Sequence, residues 1–375
     1  QGLADAEFSD GNSVKVLPNG ENYYEAELEA IENARSSINL EAYIFQKGDA
    51  ASAFLEALTN RARAGCKVNL VIDGVGSFAT WNSYFKKLID AGGRVKWYHP
   101  LRLHLLPRFN NRTHRELIII DGSIGFVGGA GIGDHWFKNV KGKPRWRDTM
   151  FRVEGEVVHR LQCVFAENWL EASGEILMGE KYFPDLIAKG PVKAMAIGST
   201  PSAGRSTRAR IVYQTLIACA QKSIHITTPY FLPDTSLRKE LVRAMKERNV
   251  DIQIITPGKK SDHLLTRRSS RRLYGDILKA GGKIYEYKPA MIHAKILEID
   301  GVWSVVGSTN LDHRSFGLND EVNLIAFDPE LASTLESHFV KDRAESSPVS
   351  YGEWERRPFW ERLHELLGWV LERQQ

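Results

Sequence analysis

Cysteine is scarce: three occur in 375 residues, at positions 66, 163 and 219, and none sits in a close pair of the kind that holds a metal. A disulfide framework is not needed, and Cys66 and Cys219, which lie in apolar stretches, read as plain core residues. No run of about 18 apolar residues occurs, so no segment reads as a bilayer-spanning helix. Charge of one sign is also short: a formal net charge of +4 hardly selects an anionic partner. The chain begins with Gln rather than Met, which leaves room for a preceding leader or anchor.

What is present is the composition of a soluble globular protein, 43% hydrophobic and 26% charged, at a length that suits two domains. Basic residues are clustered. Arg102, Arg108, Arg112 and Arg115 crowd one stretch, and Arg267, Arg268, Arg271 and Arg272 another. Such clusters serve either as solvated surface or as an anion site.

Four blocks of the first half recur in order in the second. Residues 31–43 match 217–230 with one extra residue, 61–74 parallel 245–258, and 88–100 echo 277–289. Each pairs a helix end with an apolar strand, and the Ala-Gly-Gly at 91–93 and 280–282 is a good helix stop. The fourth block is chemical. Residues 114–121 read His-Arg-Glu-Leu-Ile-Ile-Ile-Asp, and residues 293–300 read His-Ala-Lys-Ile-Leu-Glu-Ile-Asp. Seven residues after each Asp comes a small-residue turn, Gly128-Gly129 and Gly307-Ser308. The pattern predicts an α/β fold of two pseudo-symmetric repeats. Each is a mainly parallel sheet flanked by helices, and the two pack face to face with the active site between them. The expected divisions are repeat one at 10–188, a Gly-, Ser- and Pro-rich connection at 189–210, repeat two at 211–345, and a C-terminal amphipathic helix at 346–375.

A duplicated histidine suits attack on a phosphodiester. One neutral imidazole can attack while the other, protonated, donates to the leaving oxygen. Lys and Asn supply donors to the phosphate oxygens, and no metal or cofactor is required. Alternate side chains of an extended strand share a face, so His293 and Lys295 should point the same way. The strand after the turn should bring Asn310 back beside His293.

These residues resemble the phospholipase D superfamily, whose motif is His-x-Lys-x4-Asp-x6-Gly-[Gly/Ser]-x-Asn, present twice. His293, Lys295, Asp300, Gly307, Ser308 and Asn310 match it fully. In the first copy His114, Asp121, Gly128 and Gly129 match, while Glu116 and Gly131 replace Lys and Asn. Within the superfamily the wording GGAGIGDHW, WRDTMFRVEG and GSTNLDHRSF is most similar to bacterial cardiolipin synthases. The resemblance implies a phosphohistidine intermediate, with His114 as nucleophile and His293 as general acid and base, an assignment that the symmetry makes reversible. It further implies that each His takes a carboxylate from the opposite half, Glu321 with His114 and Asp148 with His293. Lys295, Asn310 and Ser308 would bind phosphate, together with the position held by Glu116, and Asp121, Asp300 and Gly129 would support them.

Glu116 reverses a charge where the substrate is anionic, which should weaken phosphate binding and raise the pKa of His114. An inactivating substitution, a half-site that works differently and a degenerate homologue each account for it; the intact surroundings favour the first, so Glu116→Lys should raise turnover by orders of magnitude. The implied reaction is transfer of a phosphatidyl group from phosphatidylglycerol to a second phosphatidylglycerol. A phosphodiesterase on single-stranded nucleic acid and a lipid-binding pseudoenzyme are the alternatives. An anionic phospholipid is the expected partner, at the surface of a bacterial cell membrane. Residues 358–371 read as an amphipathic helix with Trp360, Leu363, Leu367, Val370 and Leu371 on one face, either interfacial or docked on the body. Tyr43, Phe45, Tyr230, Phe231, Trp136 and Phe316 could line a lipid channel or serve as core.

Overall fold

The computed structural model describes residues 6–100, 110–201 and 207–358. The first half supplies β1 (Ser9–Pro18), β2 (Ser37–Ala42), β3 (Lys67–Asp73), β4 (Arg94–Tyr98), β5 (Arg112–Thr113), β6 (Glu116–Ile120), β7 (Ile124–Gly128) and β8 (Thr149–Glu154). The second supplies β9 (Val192–Ser199), β10 (Ser223–Thr227), β11 (Asp251–Pro257), β12 (Lys283–Tyr287), β13 (Ile296–Ile299), β14 (Trp303–Gly307), β15 (Asn319–Phe327) and β16 (Ser346–Val349).

The main path of the sheet runs β16-β12-β11-β10-β13-β14-β15-β9-β1-β8-β7-β6-β2-β3-β4. Read outward from the β9–β1 seam, both halves follow the same order, which is the duplication expressed as topology. In each half the outer strands are parallel (β2-β3-β4 and β10-β11-β12), because helices such as Asp49–Arg63 and Thr235–Arg248 cross between them.

The strands that follow the histidine motifs pair antiparallel. Their hairpins turn at Asp121-Gly122 and Asp300-Gly301, where all four residues have positive φ (51°, 62°, 57° and 67°). The sheet is therefore mixed rather than mainly parallel. The halves also do not stack as two faces: β1 and β9 pair antiparallel, so the sheet continues from one half into the other. One core beneath that seam draws on both, with Leu117, Val127, Phe151 and Leu161 from the first half and Val306, Val322 and Leu324 from the second.

The 189–210 stretch contains β9, whose buried residues pair with β15 on one side and β1 on the other. It is a structural seam rather than a plain connection. Among the described residues after 345, Ser346–Val349 extends the sheet beside β12, and a short helix at Tyr351–Glu355 follows. The amphipathic segment at 358–371 lies almost wholly outside the described residues, as do Arg102 and Arg108. Cys66 is buried as expected, but Cys219 is exposed at the C-terminal end of its helix.

Candidate active site

The two motifs are brought together by main-chain exchange across the halves. β5 pairs parallel with β15, matching Arg112 to Asn319 and Thr113 to Asp320, and the His114 N–H donates to the Asp320 carbonyl at 2.8 Å. The second half repeats this clip. The Arg147 N–H donates to Met291 O at 2.8 Å, and the His293 N–H donates to Arg147 O at 2.7 Å. Each histidine is thus tied to the segment that carries the opposite half's carboxylate. The side chains complete the pairs: His114 Nδ1 lies 3.2 Å from Glu321 Oε2, and His293 Nδ1 lies 2.9 Å from Asp148 Oδ2. A carboxylate on Nδ1 fixes the tautomer and aims Nε2 outward.

Lys295 lies between these pairs. Burial pulls its ammonium down to about 8, although Asp148, Glu321 and Glu116 all act to raise it. One lysine therefore feels the carboxylates of both histidines. Its Nζ donates to the His293 carbonyl at 2.7 Å and rests 3.1 Å from His293 Nε2. Gly129 leaves it room, since a Cβ there would lie 2.8 Å from Lys295 Nζ. Burial, followed by the Lys295 charge, pushes His293 below its ordinary value against the pull of Asp148. Burial likewise raises the Asp148 carboxyl, but the His293 hydrogen bond and the Lys295 charge outweigh it and hold Asp148 below the usual carboxylate range.

His293 and Lys295 share a face as expected, but the strand β13 begins only at Ile296, after both residues. Ser308 is placed differently from the expectation. Its hydroxyl donates to Glu321 Oε2 and accepts from the Val322 N–H, so it positions the carboxylate instead of presenting itself to phosphate. Asn310 is buried, and its side-chain oxygen has no hydrogen-bond partner among the described residues. Asp121 and Asp300 are latches, not reacting groups. Asp121 accepts from the N–H groups of Arg35, Ser36 and Ser37, and Asp300 from those of Gln221, Lys222 and Ser223.

Glu116 does not project into the site as a bare charge. It is 5% exposed, its Oε1 accepts from the Tyr43 and Ile44 N–H groups at 3.2 and 3.4 Å, and burial pushes its carboxyl well above the usual range. Gly131, the other departure from the motif, makes the space: a Cβ there would come 2.9 Å from Glu116 Oε1. The two departures fit one another. The carboxyl is held against main-chain donors instead of lying bare toward the substrate, and its burial disfavours the charged form.

Three contributors were not singled out by spacing. Trp136 is fully buried and donates its indole N–H to Asp148 Oδ2 at 3.1 Å, a role that nothing but its residue type could have signalled. Arg147 clasps Asp342 with both ends of its guanidinium (3.0 and 2.9 Å) and holds the Asp148 carbonyl at 2.6 Å. Its place beside Asp148 in Trp-Arg-Asp was the available hint. Tyr43 meets the His114 ring edge-on at 5.2 Å. Of the candidate channel residues, Phe45, Phe231 and Trp136 are fully buried core, and Phe316 is nearly so. Nor are Arg112, Arg115, Arg267 and Arg271 an open anion surface. Arg115 is fully buried against Val164 O and Glu167, Arg112 is buried beside Asp73, and Arg267 and Arg271 both bind Glu286.

Comparison with known proteins follows the same lines. Residues 28–169 and 213–343 match the family described as "Cardiolipin synthase, PLD-like domain". The major cardiolipin synthase ClsA of Bacillus subtilis is 35% identical over 98% of this chain and 76% of its own length. A cardiolipin synthase of Listeria monocytogenes is 33% identical over 96% of this chain and 75% of its own. Among solved structures, a phosphatidylserine synthase from Haemophilus influenzae shares the fold with a TM-score of 0.70, at 16% identity, over 100% of this chain and 96% of that one.

Proposed function

The chain belongs to the phospholipase D-like cardiolipin synthase family, and from that premise we propose that it is a phosphatidyltransferase that makes cardiolipin from two molecules of phosphatidylglycerol. The observation that carries the reading is the reciprocal pairing of His114 with Glu321 and His293 with Asp148 around Lys295.

In the first step His114 Nε2 attacks phosphorus, the P–O bond to the headgroup glycerol breaks, and His293 gives its proton to the departing oxygen. The product is a phosphatidyl-histidine and free glycerol. In the second step His293 takes the proton from a hydroxyl of the second phosphatidylglycerol. That oxygen attacks phosphorus, the P–N bond breaks, and His114 is regenerated. Lys295 and Asn310 donate to the phosphate oxygens as they gain charge. One observation favours the reverse assignment: burial and Lys295 hold His293 toward the neutral form that a nucleophile needs.

Among the described residues no helix is long and apolar enough to cross a membrane. We infer contact with the surface of a bacterial cell membrane, where a phospholipid substrate resides.

The test is direct. Vesicles of phosphatidylglycerol incubated with the purified chain should yield cardiolipin and free glycerol in equal amounts, while single-stranded DNA stays intact. Glycerol with phosphatidic acid would mean hydrolysis instead of transfer, and cut DNA with untouched lipid would overturn the reading. Alkaline quenching of His114→Ala and His293→Ala separates the roles, since the variant that retains the acid-labile phosphohistidine keeps the nucleophile.

A further inference from the structure

Away from the catalytic pairs, His225 on β10 stands directly opposite Glu298 on β13 in the antiparallel ladder. Glu336, from the helix Pro329–Ala344, closes over them. One ligand atom from each of the three lies within 4.8 Å of the others. The His225 ring is held flat against Phe339, with centroids 4.7 Å apart at 13°.

The cluster is unsatisfied as it stands. Glu298 is 4% exposed and makes no hydrogen bond among the described residues; its nearest cationic group is His225 Nδ1 at 4.0 Å. His225 Nδ1 and Glu336 Oε2 approach to 2.5 Å as an ion pair, yet among the described residues both atoms are buried without a partner in hydrogen-bond geometry. A cavity opens at this point, lined by His225 and Glu298 and by Arg147, His338 and Asp342. Two carboxyl groups face one imidazole here, more acceptor oxygens than a single ring can satisfy, and a cation bound by both carboxylates would supply the missing partner.

We propose that His225, Glu298 and Glu336 form a binding site for one divalent cation of the zinc class. One imidazole nitrogen with two carboxylate oxygens suits zinc, with water in the fourth position, whereas magnesium and calcium prefer shells of oxygen alone. Tetrahedral ligands at about 2.0–2.2 Å from zinc lie roughly 3.3–3.6 Å from each other. Reaching that geometry requires Glu336 to back away from the ring and Glu298 to close on it, both within the reach of side-chain rotation.

Titration of zinc into the metal-stripped full chain, followed by calorimetry, decides the matter. One site of micromolar or tighter affinity is expected, with magnesium giving no competing heat. Glu298→Gln and Glu336→Gln should each weaken it by about tenfold or more, and His114→Ala should leave it unchanged. The partly exposed Glu336 is the variant least able to disturb folding. Cobalt(II) gives an independent readout through the visible bands of a tetrahedral site. Absence of binding at millimolar zinc, wild-type affinity in both glutamine variants, or loss of binding in His114→Ala would each overturn the proposal.

Discussion

At the scale of single residues, Lys295 and Glu116 decide the electrostatics. With Lys295 held near 8, the free enzyme loses its buried cation as pH rises through that value. The alkaline limb of kcat/KM should therefore fall near pH 8, and Lys295→Arg should remove that limb while lowering the rate. Stability should move the opposite way. The folded form gives up this proton more readily than the unfolded one, so burial of the ammonium costs most below about 8 and nothing above 10.5. Denaturant midpoints of wild type, measured against those of Lys295→Met, should show the contribution relieved across that window.

Glu116 invites a paired test. Glu116→Gln keeps the acceptor for Tyr43 and Ile44, so its activity and stability should stay close to wild type. Glu116→Lys cannot accept, and leaves two main-chain donors short of a partner. A loss of about 1–3 kcal/mol is expected, with no gain in turnover. Glutamine failing while lysine accelerates would restore the charge-reversal view.

At the scale of elements, the site depends on turns and donors that do not touch phosphorus. Asp300 gathers three main-chain N–H groups at a positive-φ corner, and Asp121 does the same in the other copy. Asp300→Ala should cost about 2–3 kcal/mol in thermal or urea unfolding, chiefly through those donors. Trp136→Phe is a quieter change: the ring stays in the core while Asp148 loses an indole N–H. It should lower kcat by about tenfold, leave KM little changed and shift the pH profile set by His293, which a purely structural role would not do.

At the scale of the molecule, neither half pairs its motif histidine with a carboxylate of its own; the partners of His114 and His293 come from the opposite half. Separately expressed halves split at the 202–206 stretch should be inactive alone and should regain activity only when mixed, because the pairs and the β9–β15 ladder both cross between them. Activity in one half alone, followed by cardiolipin formation, would contradict the exchange described above. The same crossing explains why the halves share one core instead of folding as stacked, self-contained sheets.

The duplicated motifs, the helix stops and the Asp-Gly hairpins were legible in the chain, because each depends on side chains within a few residues of one another. So was the family, through the wording around His293. The parallel and antiparallel partition was not, since it depends on which connections are hairpins and which are helical crossovers. The role of β9 was hidden for a related reason: its residues lie among Gly, Ser and Pro, and their strand character comes from neighbours on both sides. Tertiary structure alone decided that Ser308 serves Glu321, that Gly131 makes the slot for Glu116, and that His225 meets two glutamates. Those meetings join positions distant in the chain, and no local spacing encodes which buried polar groups will share a cavity.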